Sequence, residues 1–123
     1  ALATLDLMEG QNFVTRVAED IGPYLQSKWN ELEDHPIVGH VRGIGMLGSI
    51  ELVRDKNTRE RLESDQKSGG ICREFCIKNN LIMRAVGDSM IISPPFVCSH
   101  GDIDLLIERA KKSLDQTAAY YSV

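Results

Sequence analysis

Residues 37–53 read IVGHVRGIGMLGSIELV, and the rest of the architecture can be worked out from this stretch. Val and Ile recur along it, and both residue types favour extended backbone. Glycines stand at positions 39, 43, 45 and 48, where they allow the chain to bend or turn. The stretch therefore predicts two short strands, or one bent strand, entered through a glycine-rich corner.

Three of these glycines, Gly43, Gly45 and Gly48, match the dinucleotide-binding pattern G-x-G-x-x-G, and an acidic residue, Asp65, lies downstream. That pattern holds a pyrophosphate only when its glycines lead into the N-terminus of a helix. Here they are followed by residues 49–53, which have a strand pattern. We therefore expect a structural role for the glycines, in turning the chain or in letting another backbone come close.

A helical pattern precedes the strands. Apolar residues recur at three- and four-residue spacing over residues 13–32, and Asn12 is a suitable N-cap. Because proline lacks an N–H, we expect a kink or a restarted helix at Gly22 and Pro23. The His-Pro pair at residues 35–36 ends the helix.

A second helix and a second pair of strands are predicted downstream of a charged connection at residues 54–65. Helical spacing returns over residues 66–78, and two asparagines follow that suit the left-handed backbone of a helix end. Residues 81–84 and 89–92 have strand character and are joined by a turn at residues 86–88.

The last helix has the clearest start signal, since Ser99 and Asp102 form the S-x-x-D variant of a capping box. The element order is therefore α-β-β-α-β-β-α. A small three- to four-stranded antiparallel or mixed sheet covered by helices would bury all the apolar stripes, so the predicted fold class is α+β. With 123 residues, 42% of them apolar, residues 1–123 are expected to form one domain.

Composition excludes several classes of function. The formal net charge is −4, from 14 Lys and Arg against 18 Asp and Glu, so no basic excess favours nucleic acid. No apolar run is long enough to span a membrane, and the first ten residues lack the features of a signal peptide. Three cysteines form no disulfide framework, and a cytoplasmic protein is expected. The chain starts at Ala1 in a helical pattern, so we expect a fragment of something longer.

No motif in the sequence predicts a metal site or a catalytic residue. Cys72 and Cys76 lie one helical turn apart, and His35, His40 or His100 could complete a metal site, but cysteines on an apolar helix face are usually packing residues. There is no G-x-S-x-G elbow and no Ser, His and carboxylate set. None of the six lysines stands in apolar surroundings that would tune it for a Schiff base. They are Lys28, Lys56, Lys67, Lys78, Lys111 and Lys112.

Arg84 is the candidate binding residue. It follows Leu81, Ile82 and Met83 at the end of a strand-like run, so a permanent cation with five donors stands among apolar neighbours. A buried arginine requires an anionic partner. Two partners are possible from spacing alone: Asp88 across the turn, or the carboxylate of a ligand held by two parallel hydrogen bonds.

The sequence also resembles a known family, the class III aminotransferases. The resemblance lies in DIGPY at 20–24, VRGIGMLGSIEL at 41–52, NNLIMRAVGD at 79–88 and SPP at 93–95, in that order, and so takes in nearly the whole chain. These are fold type I enzymes dependent on pyridoxal phosphate, and the greatest similarity is to the omega-amino acid:pyruvate transaminases. Each motif alone is weak, and the ordered set is specific.

The resemblance implies that this chain is the small C-terminal domain of such an enzyme, without its large cofactor domain. The arginine at the position of Arg84 binds the substrate carboxylate in that branch and swings aside for apolar substrates. The parent enzyme would be a homodimer that transfers an amino group from an amine or omega-amino acid to a keto acid such as pyruvate. The lysine that binds the cofactor would lie outside this chain, so we expect the isolated chain to bind no pyridoxal phosphate and to be inactive.

Two other interpretations remain open at this point. The chain could be a freestanding, non-enzymatic α+β module that binds a small carboxylate through Arg84. It could also be a structural module retained only for dimerisation. An apolar surface that fits an absent partner is expected for the aminotransferase fragment.

Overall fold

Two β-hairpins form a single antiparallel sheet in the computed structural model, which describes residues 1–123. The first hairpin contains β1 (Val38–Ile44) and β2 (Leu47–Leu52), and the second contains β3 (Arg84–Val86) and β4 (Ser89–Ile92). The strand order is β1-β2-β4-β3. All pairs are antiparallel, so the predicted α+β class and small sheet are confirmed, with four strands and no parallel pair.

The glycine-rich corner is the turn of the first hairpin. Gly45 has φ +56°, a backbone conformation that side chains rarely adopt. A Cβ on Gly48 would lie 2.8 Å from the indole nitrogen of Trp29, so the absence of a side chain lets the indole approach the strand. The Gln26 amide donates to the carbonyls of Gly45 and Leu47, at 3.0 Å each. The predicted structural role of these glycines is confirmed, since they lie in a strand hairpin and lead into no helix.

The first helical region is divided into several short elements. Its α-helices are α1 (Leu2–Gly10), α2 (Phe13–Arg16) and α3 (Gly22–Asn30). A π-helical turn at Val17–Ile21 joins α2 to α3, and a 3₁₀ turn at Glu31–Asp34 follows α3. The predicted irregularity is therefore present, as the π-helical turn that immediately precedes Gly22 and Pro23. Asn12 occupies the N-cap position of α2, as predicted, but its φ is 53° and its side chain makes no cap hydrogen bond.

Two helices follow the first hairpin, and both agree closely with the sequence. Helix α4 spans Ser68–Lys78 and α5 spans His100–Tyr120. The Ser99 side chain accepts from the Asp102 N–H at 3.1 Å, and the Asp102 carboxylate accepts from the Ser99 N–H at 2.9 Å. This confirms the capping box. No helix of the fold is both long enough and apolar enough to cross a membrane.

The third strand begins later than the sequence suggests. Residues 81–83 do not pair with another strand. The strand β3 starts at Arg84, which was the last residue of the predicted strand 81–84. The Leu81 N–H instead donates to the Cys76 carbonyl at 2.9 Å, at the end of α4. Of the two asparagines that precede it, only Asn80 is left-handed, with φ 58°. The chain therefore leaves the helix through a close turn before it joins the sheet.

Helices cover only one face of the sheet. Buried apolar side chains of the covered face, such as Ile50, Leu52 and Met90, belong to one core cluster with Trp29 of α3 and Ile103 of α5. The alternate positions point the other way, and none of them is buried. We call this the open face. Its members are His40, Arg42, Ile44, Leu47, Ser49, Glu51, Arg84, Val86, Ser89 and Ile91.

The contact between Trp29 and Gly48 predicts a large effect of a small substitution. Gly48→Ala should lower the free energy of unfolding by about 1–3 kcal/mol, because the new methyl group would overpack the core against the indole. Gly70→Ala is the matched control. A Cβ at Gly70 meets nothing within 4 Å, so this variant should gain about 0.5–1 kcal/mol from helix propensity. Urea unfolding followed by circular dichroism measures both, and equal effects of the two substitutions would contradict the packing argument.

The capping box predicts a pH-dependent contribution to stability. Hydrogen bonds from the Ser99 backbone and side chain lower the pKa of Asp102 below its ordinary value. A depressed carboxyl pKa stabilises the folded state above the unfolded-state pKa, and that stabilisation is lost as the pH falls through the folded-state pKa. Asp102→Asn should therefore destabilise the chain at pH 7, and the difference from wild type should shrink on acidification. Glu108→Gln, on the exposed side of the same helix, should show no such difference at either pH.

Candidate functional site

Arg84 lies at the edge of the sheet and is free to bind an anion. It is the first residue of β3, on the open face, directly opposite Ile91 of β4. Successive side chains of an extended segment point to opposite sides. Leu81 and Met83 are buried, so Ile82 and Arg84 point outward and are exposed. The Arg84 guanidinium makes no hydrogen bond and no ion pair within the chain.

Both local expectations for Arg84 require correction. The side chain is exposed rather than buried among apolar neighbours. Asp88 is not its partner: the Ser68 hydroxyl donates to Asp88 at 2.6 Å, and Arg61 lies 3.9 Å from the other carboxylate oxygen. Gly87, with φ 60°, turns the chain so that Asp88 lies next to the start of α4. The anion that would neutralise Arg84 is therefore not supplied by Asp88.

A groove of about 710 Å³ runs beside Arg84, between α4 and the free edge of β3. Arg73 of α4 also lines this groove, is exposed, and has no hydrogen bond or ion pair within the chain. In the sequence, Arg73 is an ordinary charged residue within a helical stretch, and no pattern singles it out. Helical spacing shows that it shares a face with Gly70, Glu74 and Ile77, but only the packing of α4 against β3 places that face next to Arg84.

The cysteines and histidines do not form a site. Cys72 and Cys76 are buried in the core, as expected for packing residues. A hydrogen bond from the Cys72 thiol to Cys76, together with burial, raises the pKa of the Cys72 thiol. His35 contacts Asp115 at 2.8 Å and His100 contacts Asp20 at 2.6 Å, at separate places on the fold. No three residues of the His, Cys, Asp and Glu types are grouped so that they could hold a metal ion.

The lysines also lie outside any enclosed site. None is buried, and three form ion pairs with carboxylates, as between Lys67 and Asp65 at 2.5 Å. The hydrogen bond to Asp65 raises the pKa of Lys67. A lysine that forms a Schiff base needs the opposite shift, which burial or a neighbouring cation supplies. The sequence-based expectation for the lysines agrees with their positions.

A second groove, of about 580 Å³, lies next to the hairpin turn and is mainly apolar. Val14, Val17 and Phe96 line one part of it, and Gly43 and Ile44 line another. Ile44 is 78% exposed and also belongs to the open face. Apolar side chains are thus exposed over a continuous region from this groove onto the sheet, which is typical of a surface that contacts another protein segment.

Comparison with known proteins gives a consistent result. No family model matches the chain. The chain is 51% identical over 119 residues to a putrescine–pyruvate aminotransferase of Pseudomonas aeruginosa, with 97% of this chain and 26% of that protein covered. It is 31% identical over 117 residues to gamma aminobutyrate transaminase 1, mitochondrial, of Solanum lycopersicum, with 95% and 22% covered.

Solved structures agree with these relatives. A transaminase solved with L-Ala superposes with a TM-score of 0.92 at 30% identity, over 99% of this chain and 28% of that one. An omega transaminase of Pseudomonas jessenii in complex with PMP also matches, at 27% identity, with 96% of this chain and 26% of that chain covered and a TM-score of 0.89. The chain spans about a quarter of the length of the relatives it matches. Its relatives are thus aminotransferases, and the chain corresponds to a small C-terminal part of those proteins.

Proposed function

We propose that this chain is the small C-terminal domain of a pyridoxal phosphate-dependent transaminase that transfers an amino group from an amine or omega-amino acid to a keto acid such as pyruvate. In this proposal Arg84 binds the carboxylate of the substrate. The observation that carries it is the unpaired, exposed guanidinium at the edge of the sheet, in a chain similar throughout to transaminases. The name of the Pseudomonas aeruginosa relative pairs putrescine with pyruvate, which supports a keto acid as the acceptor.

The position of Arg84 suits carboxylate binding. Its backbone is fixed by β3 and by the buried side chain of Met83 before it, whereas its guanidinium has no partner within the chain. A guanidinium fork matches a carboxylate through two parallel hydrogen bonds, so it orients the acid as well as attracting it. Arg84 would position the substrate and would take no part in proton transfer.

The surroundings of Arg84 also suit apolar substrates. Ile91 is the cross-strand neighbour of Arg84 on the open face, and Ile82 is 89% exposed two residues before it. With no ion pair to break, the long arginine side chain can turn away and leave these apolar surfaces accessible. One pocket can then accept a carboxylate in one half of the reaction and an apolar group in the other.

The residues of this chain do not by themselves fit pyridoxal phosphate. That cofactor requires a lysine in a tuned, enclosed site, and every lysine here is at least partly exposed. We infer that the cofactor site belongs to a large domain outside these 123 residues. The open face and the apolar groove are the surfaces we assign to contact with that domain or with a second subunit, and a homodimer is the proposed assembly.

The freestanding carboxylate-binding module is the second candidate. One observation favours it: 21 buried residues form a continuous core within this chain, so the fold has an interior of its own. The two proposals differ in what the chain does alone. A module would bind keto acids at full strength without further polypeptide, whereas a transaminase domain would bind them only weakly until further polypeptide encloses Arg84.

Arg84→Ala in the full-length enzyme tests the role of this residue. KM for pyruvate should rise by about 10- to 100-fold, the effect of losing a charge-assisted pair of hydrogen bonds. KM for an apolar amine such as phenylethylamine should change less than about twofold, since that substrate offers no carboxylate. Steady-state kinetics with each substrate in turn measures the difference.

Lys112→Ala is the matched control for this experiment, because Lys112 is an exposed cation on α5 that makes no ion pair within the chain. This variant should leave KM for pyruvate and KM for phenylethylamine unchanged. Equal losses on pyruvate and on the amine in Arg84→Ala would remove Arg84 from carboxylate binding.

The isolated 123-residue chain should show no transaminase activity and should not bind pyridoxal phosphate. The physical reason is the lack of a buried lysine and of an enclosed site within the chain. Absorbance spectra of the chain with added cofactor measure this directly. A stable new absorbance band that survives gel filtration, together with amino transfer, would contradict the assignment of the cofactor to another domain.

A further inference from the structure

The groove beside Arg84 contains two unpaired guanidinium groups that come from different elements. Arg84 belongs to β3 and Arg73 belongs to α4, and both line the same space of about 710 Å³. Neither makes an ion pair with a carboxylate of the chain. Arginines without an internal partner on both walls of one groove favour an anionic ligand with two charged groups.

Backbone hydrogen bonds fix the two arginines at about the same level along the groove. The Gly69 N–H donates to the Gly87 carbonyl at 3.1 Å, and the Leu81 N–H donates to the Cys76 carbonyl at 2.9 Å, so α4 runs antiparallel to residues 81–87. Four helical residues beyond Gly69 advance about 6 Å, and two strand residues before Gly87 advance about 6.6 Å. Position 73 is therefore level with position 85, one strand residue from Arg84.

The wall that contains Arg73 is a single stripe of the helix. Gly70, Arg73, Glu74 and Ile77 follow one another at helical spacing, and all line the groove. A Cβ at Gly70 would meet nothing within 4 Å, so the space in front of this position is open. A small ligand has access to Arg73 from this side.

The charges that face the groove leave it positive. Lys67 also lines it, but its ammonium group is 2.5 Å from Asp65, which neutralises it. Glu74 contributes one negative charge against the two positive charges of Arg73 and Arg84. The negative charge of Glu74 reduces the repulsion between Arg73 and Arg84 when no ligand is bound. The same charge repels an anionic ligand.

We propose that this groove binds a dicarboxylic acid, with one carboxylate on Arg84 and the other on Arg73. This inference rests on the proposed role of Arg84 and extends it by naming a ligand class. A monocarboxylic acid contacts Arg84 alone, whereas a flexible dicarboxylate of about five carbons contacts both walls. Such a dicarboxylate competes with a monocarboxylic keto acid for Arg84.

Titration of the 123-residue chain with glutarate and with butyrate tests the proposal. Chemical shifts of the arginine Nε–H groups report binding, and added NaCl keeps the ionic strength constant. Glutarate should bind about threefold to tenfold more tightly than butyrate, the gain expected from one additional exposed charge pair. Arg73→Ala should remove that preference and leave the butyrate Kd unchanged, and Glu74→Gln should lower the glutarate Kd.

Arg42→Ala is the matched control, because Arg42 is an exposed arginine without a partner at the opposite edge of the sheet. It should change neither Kd, and circular dichroism verifies that each variant is folded. An Arg73→Ala variant that binds glutarate as wild type does, or a wild-type chain that does not prefer glutarate, overturns the dicarboxylate site. If Arg84→Ala weakens the binding of both ligands while Arg73→Ala changes neither Kd, the dicarboxylate site is overturned, but the proposed substrate role of Arg84 stays in place.

Discussion

The close approach of Trp29 to Gly48 is the contact on which the architecture depends. A glycine near the start of β2 allows the indole of α3 to lie against the strand backbone. Gln26, one turn earlier in α3, donates a hydrogen bond to the Gly45 carbonyl in the hairpin turn. The helix is thereby fixed on one face of the sheet and at one end of it. Because all the packed helices lie on that side, the opposite face has no cover within the chain, and the exposed arginines lie on or beside it.

Placing a cation at an exposed edge keeps it available for binding. A buried arginine would need an internal anion, and that anion would compete with any ligand for the same guanidinium. The fold instead commits the nearby Asp88 to Ser68 and Arg61, and it buries Met83 just before Arg84. The strand therefore has a fixed position while the charged end of the side chain remains unpaired.

The sequence predicted those features whose causes are local. The capping box of Ser99 and Asp102 involves residues three apart, so its pattern was sufficient. Asn12 had the right residue type, but its left-handed backbone removed the cap. The partner of Asp88 was missed because the hydroxyl that it accepts from belongs to Ser68, twenty residues earlier, and only folding brings the two together.

The extent of the site shows the same limit. Spacing was enough to single out Arg84 as a candidate, because an arginine at the end of an apolar run is unusual in one segment of sequence. Arg73 could not be identified in that way, since a charged residue on a helix is ordinary. Arg73 lies near Arg84 because the chain after α4 runs back antiparallel to the helix. The hydrogen bond between Gly69 and Gly87 holds the two segments together.

The open face links partner contact to ligand binding. Ile44 is exposed and Ile91 is half-buried on the same surface as Arg84, so a protein segment that covers these apolar groups also removes water from around the guanidinium. Attraction between unlike charges grows as water is excluded, and an arginine that binds a carboxylate weakly in the open chain binds it more strongly in an enclosed pocket. Affinity for the acid and affinity for the covering segment then increase together. An exposed, unpaired cation next to apolar surface is therefore the arrangement expected of a site that is completed by further polypeptide.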